Sequence, residues 1–569
     1  MDFEAVVIGS GFGGAILSCR LGNSFPSGVL VLERGKRYPM GSFPRTTKQF
    51  SESFWNVPSD TVKRPSVVGD KETHGLYDVR NFRHMDTVTA AGLGGGSLIY
   101  ANVFMLPPRE ALAHWPASCS HEALQPYYRV AKTVLGARPV PAMNHPDRHI
   151  QRTRLFQDAA EKMGRKSELT DIMVFFGNDF EKPTPIGVQE RNAHGAVQTS
   201  CTYCGECDVG CNTHSKNTLD LNYLYAAEKK YGVDVRTEQL AERIVPLDAN
   251  GKEDSTGSGE FGYRVFIRDL SAESQIYSVD AKRVIISAGA IGTTEFLLRC
   301  RDVHKTLPAL NSNLGRRFSA NGDFLSFAID GKGETGPNYG PVITQRIDCN
   351  LFENFDRDRA FILEDAAYPP FLTWFVSASR PGLLWLGPII RSVKSVWQRL
   401  TSRSSTGHIG YALGDLLDRD ISSRSSVLLC MGLDKGDGAI SLDALGNADM
   451  RWPYRNSLKL YRSVLKTCRE FAGLNGSRLF LPMPTWLLPF RKNICVHALG
   501  GCILSETPDQ GVVSSSPENF GEVYNYKNLF VADGSILPGP VGANPTATIS
   551  ALSERVAEGI TRVKPTTEL

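Results

Sequence analysis

The sequence predicts an α/β fold: a parallel-sheet domain joined to a second, α+β domain built on an antiparallel sheet. Three observations carry this. A strand–glycine–helix unit opens the chain, and a second unit of the same design spans residues 282–300. From about Phe324 the pattern changes to short alternating strands and aromatic loops, the mark of a separate domain.

The opening unit reads strand first. Glu4-Ala5-Val6-Val7-Ile8 is an apolar run that leads into Gly9-Ser10-Gly11-Phe12-Gly13-Gly14, a G-x-G-x-x-G turn, and then into a helix-like stretch from Ala15 to Leu21. Gly9 permits the tight turn, Gly11 lets backbone approach a phosphate, and Gly14 lets the helix pack closely on the strand. The helix N-terminus then faces the anion. A further strand, Val29 to Leu32, ends in Glu33 at the spacing where an acid hydrogen-bonds an adenosine ribose, with Arg34 beside it. The unit is therefore a dinucleotide site of Rossmann type, with Gly9, Gly11, Phe12, Gly13, Gly14, Glu33 and Arg34 as its contacts. It does not separate NAD from FAD.

Length and composition bound the rest. At 569 residues the chain is long enough for two or more sizeable cores. Its net charge of +3, from 63 basic and 60 acidic residues, projects no field toward nucleic acid. The first strand begins within five residues of Met1 and leaves no room for a secretory leader, so the expectation is a cytoplasmic protein whose twelve cysteines are thiols or ligands. No window offers about 18 uninterrupted apolar residues, so no transmembrane helix is expected.

Further along, Thr89 to Asn102 holds Gly92, Gly94, Gly95 and Gly96 between apolar residues, which suits the wall of a flat or charged ligand better than a linker. Asn217 to Lys230 reads as a helix, Val233 to Thr237 as a strand, and Lys282 to Ile286 as another strand feeding Ser287-Ala288-Gly289-Ala290-Ile291-Gly292 and a helix from Thr293 to Cys300. This second unit most simply returns to the parallel sheet. Ser425 to Leu433 and Gly438 to Leu442 read as strands crossed by a long amphipathic helix from Asn456 to Leu474. Asn528 to Ala532 is a strand that reaches Asp533-Gly534-Ser535. The last helix runs from about Thr546 to Arg562, with Asn544 as its cap and Pro545 in its first turn.

Two stretches stand apart. Cys201-x2-Cys204-x2-Cys207-x3-Cys211 has the spacing of ferredoxin ligands, with Asn212 where proline is common and no second run elsewhere. Four such thiolates suit an iron–sulfur cluster, or a zinc ion. Between Ala366 and Gly414 there is no acidic residue, and residues 380–403 place apolar side chains at helical spacing opposite Arg380, Arg391, Lys394, Arg399 and Arg403. That composition fits a helix lying in a membrane interface, making the protein peripheral to the membrane, and equally an amphipathic lid packed on its own domain. Either version favours a greasy substrate.

Taken in order, G-S-G-F-G-G at 9–14, G-L-G-G-G-S-L at 92–98, S-A-G-A-I-G at 287–292, N-L-G-R-R-F-S-A-N-G at 313–322 and the set His497 to Cys502, Asn528 to Pro538 and Gly542 to Pro545 resemble the glucose-methanol-choline (GMC) family of FAD-dependent oxidoreductases, in its cholesterol oxidase-like branch. The resemblance implies an FAD-binding domain mainly from 1–323 and again from 486–569, with a substrate domain mainly from 324–485. It implies FAD with its adenosine near Glu33 and its isoalloxazine against Gly94, Gly95, Gly96, Ser97, Asn102 and the C-terminal set. Ala288, Gly289, Asp533, Gly534, Asn544, Pro545 and Thr546 complete the cofactor contacts. Some relatives attach FAD through a histidine just after the glycine run, where this chain reads Ser97-Leu98-Ile99-Tyr100, so FAD is expected to be non-covalent.

The chemistry implied is oxidation of a lipophilic alcohol, sterol-like or another primary or secondary alcohol. His497 matches the catalytic histidine and takes the hydroxyl proton while hydride leaves for the flavin. Asn544 matches the residue that orients the substrate oxygen. Oxygen or a redox protein then takes the electrons, the latter if the cysteines hold a cluster. Sterol-oxidising relatives also carry an acid for double-bond isomerisation. Its place here falls on Leu372 or Thr373, with Glu364 the nearest acid. Two readings of another kind stay open: redox-neutral flavin chemistry on a lipid, and a pure electron-transfer or membrane-docking role.

Overall fold

The computed structural model describes residues 1–57, 72–141, 149–271, 274–370, 422–487 and 491–569. The 380–403 stretch, Leu372 and Thr373 lie outside them.

Phe3–Ile8 is the centre of the first sheet. Its apolar run is buried on both faces, as a parallel strand between crossover helices must be. Val29–Glu33 pairs with it in parallel on one side and the end of Gln275–Ile286 on the other. Asp234–Thr237 extends the sheet beyond Val29–Glu33, and Leu529–Val531 pairs in parallel with Val284 to Ile286. Parallel strands thus come from both ends of the chain. The first half of Gln275–Ile286 pairs antiparallel with Tyr263–Asp269, which pairs in turn with Gln239–Pro246.

The helices Phe12–Ser24, Tyr223–Tyr231, His121–Val134 and Thr546–Thr561 pack on one another beside this sheet. Glu554, fully buried, ties three of them together: Arg20 donates to it at 2.9 Å and the Tyr223 hydroxyl at 2.6 Å. Removing one partner alone would strand a buried charge.

The second sheet is antiparallel throughout, in the order Leu479–Pro482, Phe324–Ile329, Ser426–Gly432, Phe361–Ala366, Gln345–Cys349, Ser167–Leu169. Leu458–Leu474 lies on it through Leu460, Tyr461, Val464, Cys468 and Phe471, a stripe at helical spacing. Gln151–Lys162 packs beside that helix. The two strand–glycine–helix units and the long helix stand where the sequence puts them.

Three boundaries move. The helix expected from Asn217 begins only at Tyr223, after a short 3-10 turn, because the Asn222 side chain accepts the Tyr223 N–H and starts it there. The helix expected from Thr293 already begins at Gly289 and widens into a π turn at Arg299–Val303. Asn544 does not cap the last helix, which starts at Thr546 after Pro545 without a side-chain cap. The Asn544 amide is used elsewhere.

Candidate active site

Both glycine turns open onto one cavity of about 710 Å³ between the two sheets. Gly9, Gly11, Phe12, Gly13, Glu33, Arg34, Gly95, Gly96, Ala288, Gly289, His497, Asp533, Gly534, Pro545 and Thr546 line it. Five expected contacts stand just behind the wall. Gly14 is packed on the first strand, where a Cβ would lie 1.9 Å from the Gly9 carbonyl oxygen. Gly94 has φ +106°, Ser97 is buried and donates to the Gly94 carbonyl, and Asn102 is buried at φ +70°. Asn544, also buried, sits behind Pro545.

The glycines show what the cavity is shaped for. A Cβ on Gly9 would meet the Ser287 carbonyl oxygen at 2.4 Å and one on Gly13 the Ala532 carbonyl oxygen at 1.4 Å, so these two hold the turn against the rest of the fold. A Cβ on Gly11, Gly96 or Gly289 would meet no atom within 4 Å. Three bare backbone segments therefore face the same open space, as a dinucleotide's phosphates and ring require. Glu33 closes the adenosine end, accepting from the Ser10 hydroxyl at 2.5 Å and the Gly35 N–H at 2.8 Å. Burial pushes its carboxyl above the usual range. Ser10, given no contact of its own in the sequence reading, also accepts from the Gly94 N–H and so joins the first turn to the glycine run. Asp533 accepts from the Gly289 N–H at 2.9 Å, the Thr293 hydroxyl at 2.5 Å and the Ser535 N–H at 2.8 Å, which locks the second turn to the C-terminal segment. Arg34 is held by Asp78 and lies over Trp55. These residues fit an extended FAD.

At the other end stands His497. Its Nδ1 is 2.7 Å from Asp323 Oδ1, while Asp323 Oδ2 accepts the Val496 and His497 backbone N–H groups at 2.8 and 3.0 Å. The carboxylate thus fixes both ring and loop. When Nδ1 carries the proton and donates it to Asp323, the lone pair of the imidazole is on Nε2. Asp323 follows directly on the 313–322 segment, and that adjacency was the only sequence signal for it. Two residues earlier, Asn321 accepts from the Val541 and Gly542 N–H groups and donates to the Ala543 carbonyl, holding the loop that ends in Asn544. The Asn544 Nδ2 lies 3.4 Å from Glu364 Oε2, and neither Asn544 Oδ1 nor Glu364 Oε1 has a partner. Neither residue is among those lining the main cavity; the two unpartnered oxygens are buried next to it, behind Pro545.

Burial pushes the Glu364 carboxyl up to about 8, and neighbouring Asp365 adds to the rise. It is therefore protonated near neutral pH. Because the unfolded chain releases this proton from about 4.5 upward and the folded one keeps it to about 8, the folded state binds more protons in that window. Stability accordingly falls as pH rises through it. In Glu364→Gln the fall flattens, read as Tm against pH between 5 and 9; an unchanged slope would remove Glu364 as its source.

None of the four cysteines is in a disulfide; Cys201, Cys207 and Cys211 are buried and Cys204 is exposed. Among the described residues no three His, Cys, Asp or Glu side chains converge where a single metal ion could sit. No described helix is long and apolar enough to cross a membrane.

Comparison with known proteins agrees with this geometry. Residues 184–315 and 485–553 match the two family models of the GMC oxidoreductases, one N-terminal and one C-terminal. The chain is 28% identical to a cholesterol oxidase of Acinetobacter baumannii, over 97% of this chain and 93% of that one. It is 26% identical to a cholesterol oxidase of Mycobacterium tuberculosis, over 98% and 90%. A long-chain-alcohol oxidase of Arabidopsis thaliana is 22% identical over 98% of this chain and 67% of its own. In fold it is similar to a pyridoxine 4-oxidase, with a TM-score of 0.59, 14% identity and 98% of each chain covered. A fungal aryl-alcohol oxidase gives 0.56, 16% identity and 99% of each.

Proposed function

The chain is a GMC oxidoreductase, an enzyme that oxidises alcohols, and we propose that its substrate is a lipophilic primary or secondary alcohol of sterol or long-chain type. One observation carries this reading: the His497–Asp323 pair opens onto the cavity whose far end is built for a dinucleotide. Cholesterol and long-chain alcohols are named for the relatives above. In this chain the wall of the cavity that His497 lines includes Phe324, Leu325, Phe327, Val427 and Leu429, all from the 324–485 unit that we assign to substrate. Apolar side chains of that size favour a hydrocarbon body.

FAD, the family's cofactor, supplies a two-electron acceptor for the hydride of the alcohol carbon. His497 Nε2 takes the hydroxyl proton, and Asp323 keeps the ring in the tautomer that can do so. We assign to Asn544 the orienting role that its motif position implies; it sits behind Pro545 with its amide turned to Glu364. The last helix begins beside them at Thr546, and its N-terminal partial charge favours negative charge in the cavity. With Ser97 to Tyr100 lacking a histidine, FAD is held without a covalent bond, and oxygen is the acceptor that the oxidase relatives suggest.

Purified holoenzyme mixed without oxygen with cholesterol, a long-chain alcohol and a short polar alcohol tests this. The lipophilic alcohols should bleach the flavin band in stoichiometric amount and yield the carbonyl. Bleaching by the polar alcohol alone, or by none, would overturn the assignment.

A further inference from the structure

The cysteine run remains without a role, and its geometry is that of a ligand loop. Cys201, Cys204, Cys207 and Cys211 all line one small cavity, apart from the main one. Backbone N–H groups are turned toward the sulfurs: Tyr203 donates to Cys201 at 3.4 Å and Ser215 to Cys211 at 3.2 Å. The N–H groups of Glu206 and Val342 face Cys204 and Cys207. A neutral thiol is a weak acceptor, so a loop that aims an N–H at each of four sulfurs is built for thiolates.

The loop reaches this shape at a backbone cost. Tyr203 and His214 stand at φ +58° and +52°, and Gly205 and Gly210 at +71° and +96°. A Cβ on Gly205 would lie 2.6 Å from the Asn338 carbonyl oxygen, and one on Gly210 would lie 2.1 Å from the Phe43 ring. Non-glycine residues in the left-handed region persist where the surroundings over-determine them. Beneath the loop Lys216, 1% exposed, donates to the carbonyls of Cys207, Leu98 and Tyr100 at 2.5, 2.8 and 3.3 Å. It brings positive charge under the four sulfurs and bolts the loop to the glycine run. Asp208 and Val209, between the third and fourth cysteines, line the main cavity itself.

We propose that Cys201, Cys204, Cys207 and Cys211 bind one iron–sulfur cluster directly behind the wall of the main cavity. A zinc ion would need four sulfurs about 2.3 Å from one point, and among the described residues no three His, Cys, Asp or Glu side chains are placed to hold a single ion. A four-iron cube instead presents a separate iron corner to each of four thiolates, the number this loop supplies. The exposed Cys204 marks the side open to solvent. On the alcohol reading above, each substrate yields two electrons and two protons. A cluster carries one electron at a time, so in place of direct transfer to oxygen the two would leave in succession to two oxidised molecules of a one-electron carrier, a haem or iron–sulfur protein, and the protons to water. The metal assignment itself does not depend on that reading.

Iron, acid-labile sulfide and zinc are measured in holoenzyme purified without oxygen, and electron paramagnetic resonance is recorded after dithionite reduction. About four iron and four sulfide per chain and a reduced-cluster signal are expected. Cys204→Ser and Cys207→Ser should each lose most of the iron while keeping bound FAD, which reports that they fold. If either fails to fold, thiol titration of the native protein decides, since ligated cysteines react only after the cluster is removed by acid. One zinc per chain, or metal-free protein with all four thiols reactive, overturns the proposal. Iron without alcohol oxidation would sink the alcohol reading and leave this one standing; alcohol oxidation by metal-free protein would do the reverse.

Discussion

His497→Ala lowers kcat for alcohol oxidation by about 10²- to 10⁴-fold while leaving the flavin-to-protein ratio unchanged. The ring takes part in no cofactor-end contact; its one described hydrogen-bond partner is Asp323, and the neighbouring backbone N–H groups of Val496 and His497 keep theirs when the ring is removed. What disappears is the acceptor for the hydroxyl proton. Stopped-flow flavin reduction isolates that step from reoxidation, and a rate within tenfold of the wild type would remove His497 as the base. Asp323→Asn serves as the positioning control. Its carbonyl oxygen can still accept the two backbone N–H groups, but an amide facing Nδ1 favours the tautomer with the proton on Nε2, where no lone pair is left for the substrate. The expected result is a large fall in kcat with KM nearly unchanged, a split that loss of loop structure alone would not give.

Gly11→Ala weakens FAD binding by about 100-fold or more, near 2.7 kcal/mol, without unfolding the protein. Gly11 stands at φ −67°, so alanine fits its backbone, and the added methyl meets no protein atom within 4 Å. It enters only the space reserved for the dinucleotide. Gly13→Ala, two residues on, should instead fail to fold, since its methyl would lie 1.4 Å from the Ala532 carbonyl oxygen. Flavin content, fluorescence titration with FAD and circular dichroism separate the two outcomes. A Gly11→Ala enzyme fully loaded with FAD would place the cofactor elsewhere.

The elements most legible in the sequence were those whose reason is local. A buried parallel strand is a continuous apolar run, and a turn that must bring backbone to phosphate is glycine, so both strand–glycine–helix units could be seen without their neighbours. The stripe on Leu458–Leu474 was visible for the same reason. Asp323 was not, because what makes it part of the site is a partner 174 residues away, and Glu364 stood out only as the nearest acid to the isomerisation position, its place against Asn544 being set 180 residues away. Asn544 shows the limit from the other side. Its position before Pro545 is a good cap in sequence, and in the fold its amide turns to Glu364.

By itself the sequence determined the parallel sheet, the dinucleotide turn, the antiparallel second unit, the family and the histidine at its C-terminal motif, since each follows from spacing and side-chain type along a short stretch. Only the tertiary structure decided that Asp323 holds that histidine, that a protonated acid stands against Asn544, and that the cysteine loop abuts the cavity wall. Hydrogen bonding and burial act across space, and a chain whose ends meet in one sheet leaves no trace of those distances in its order.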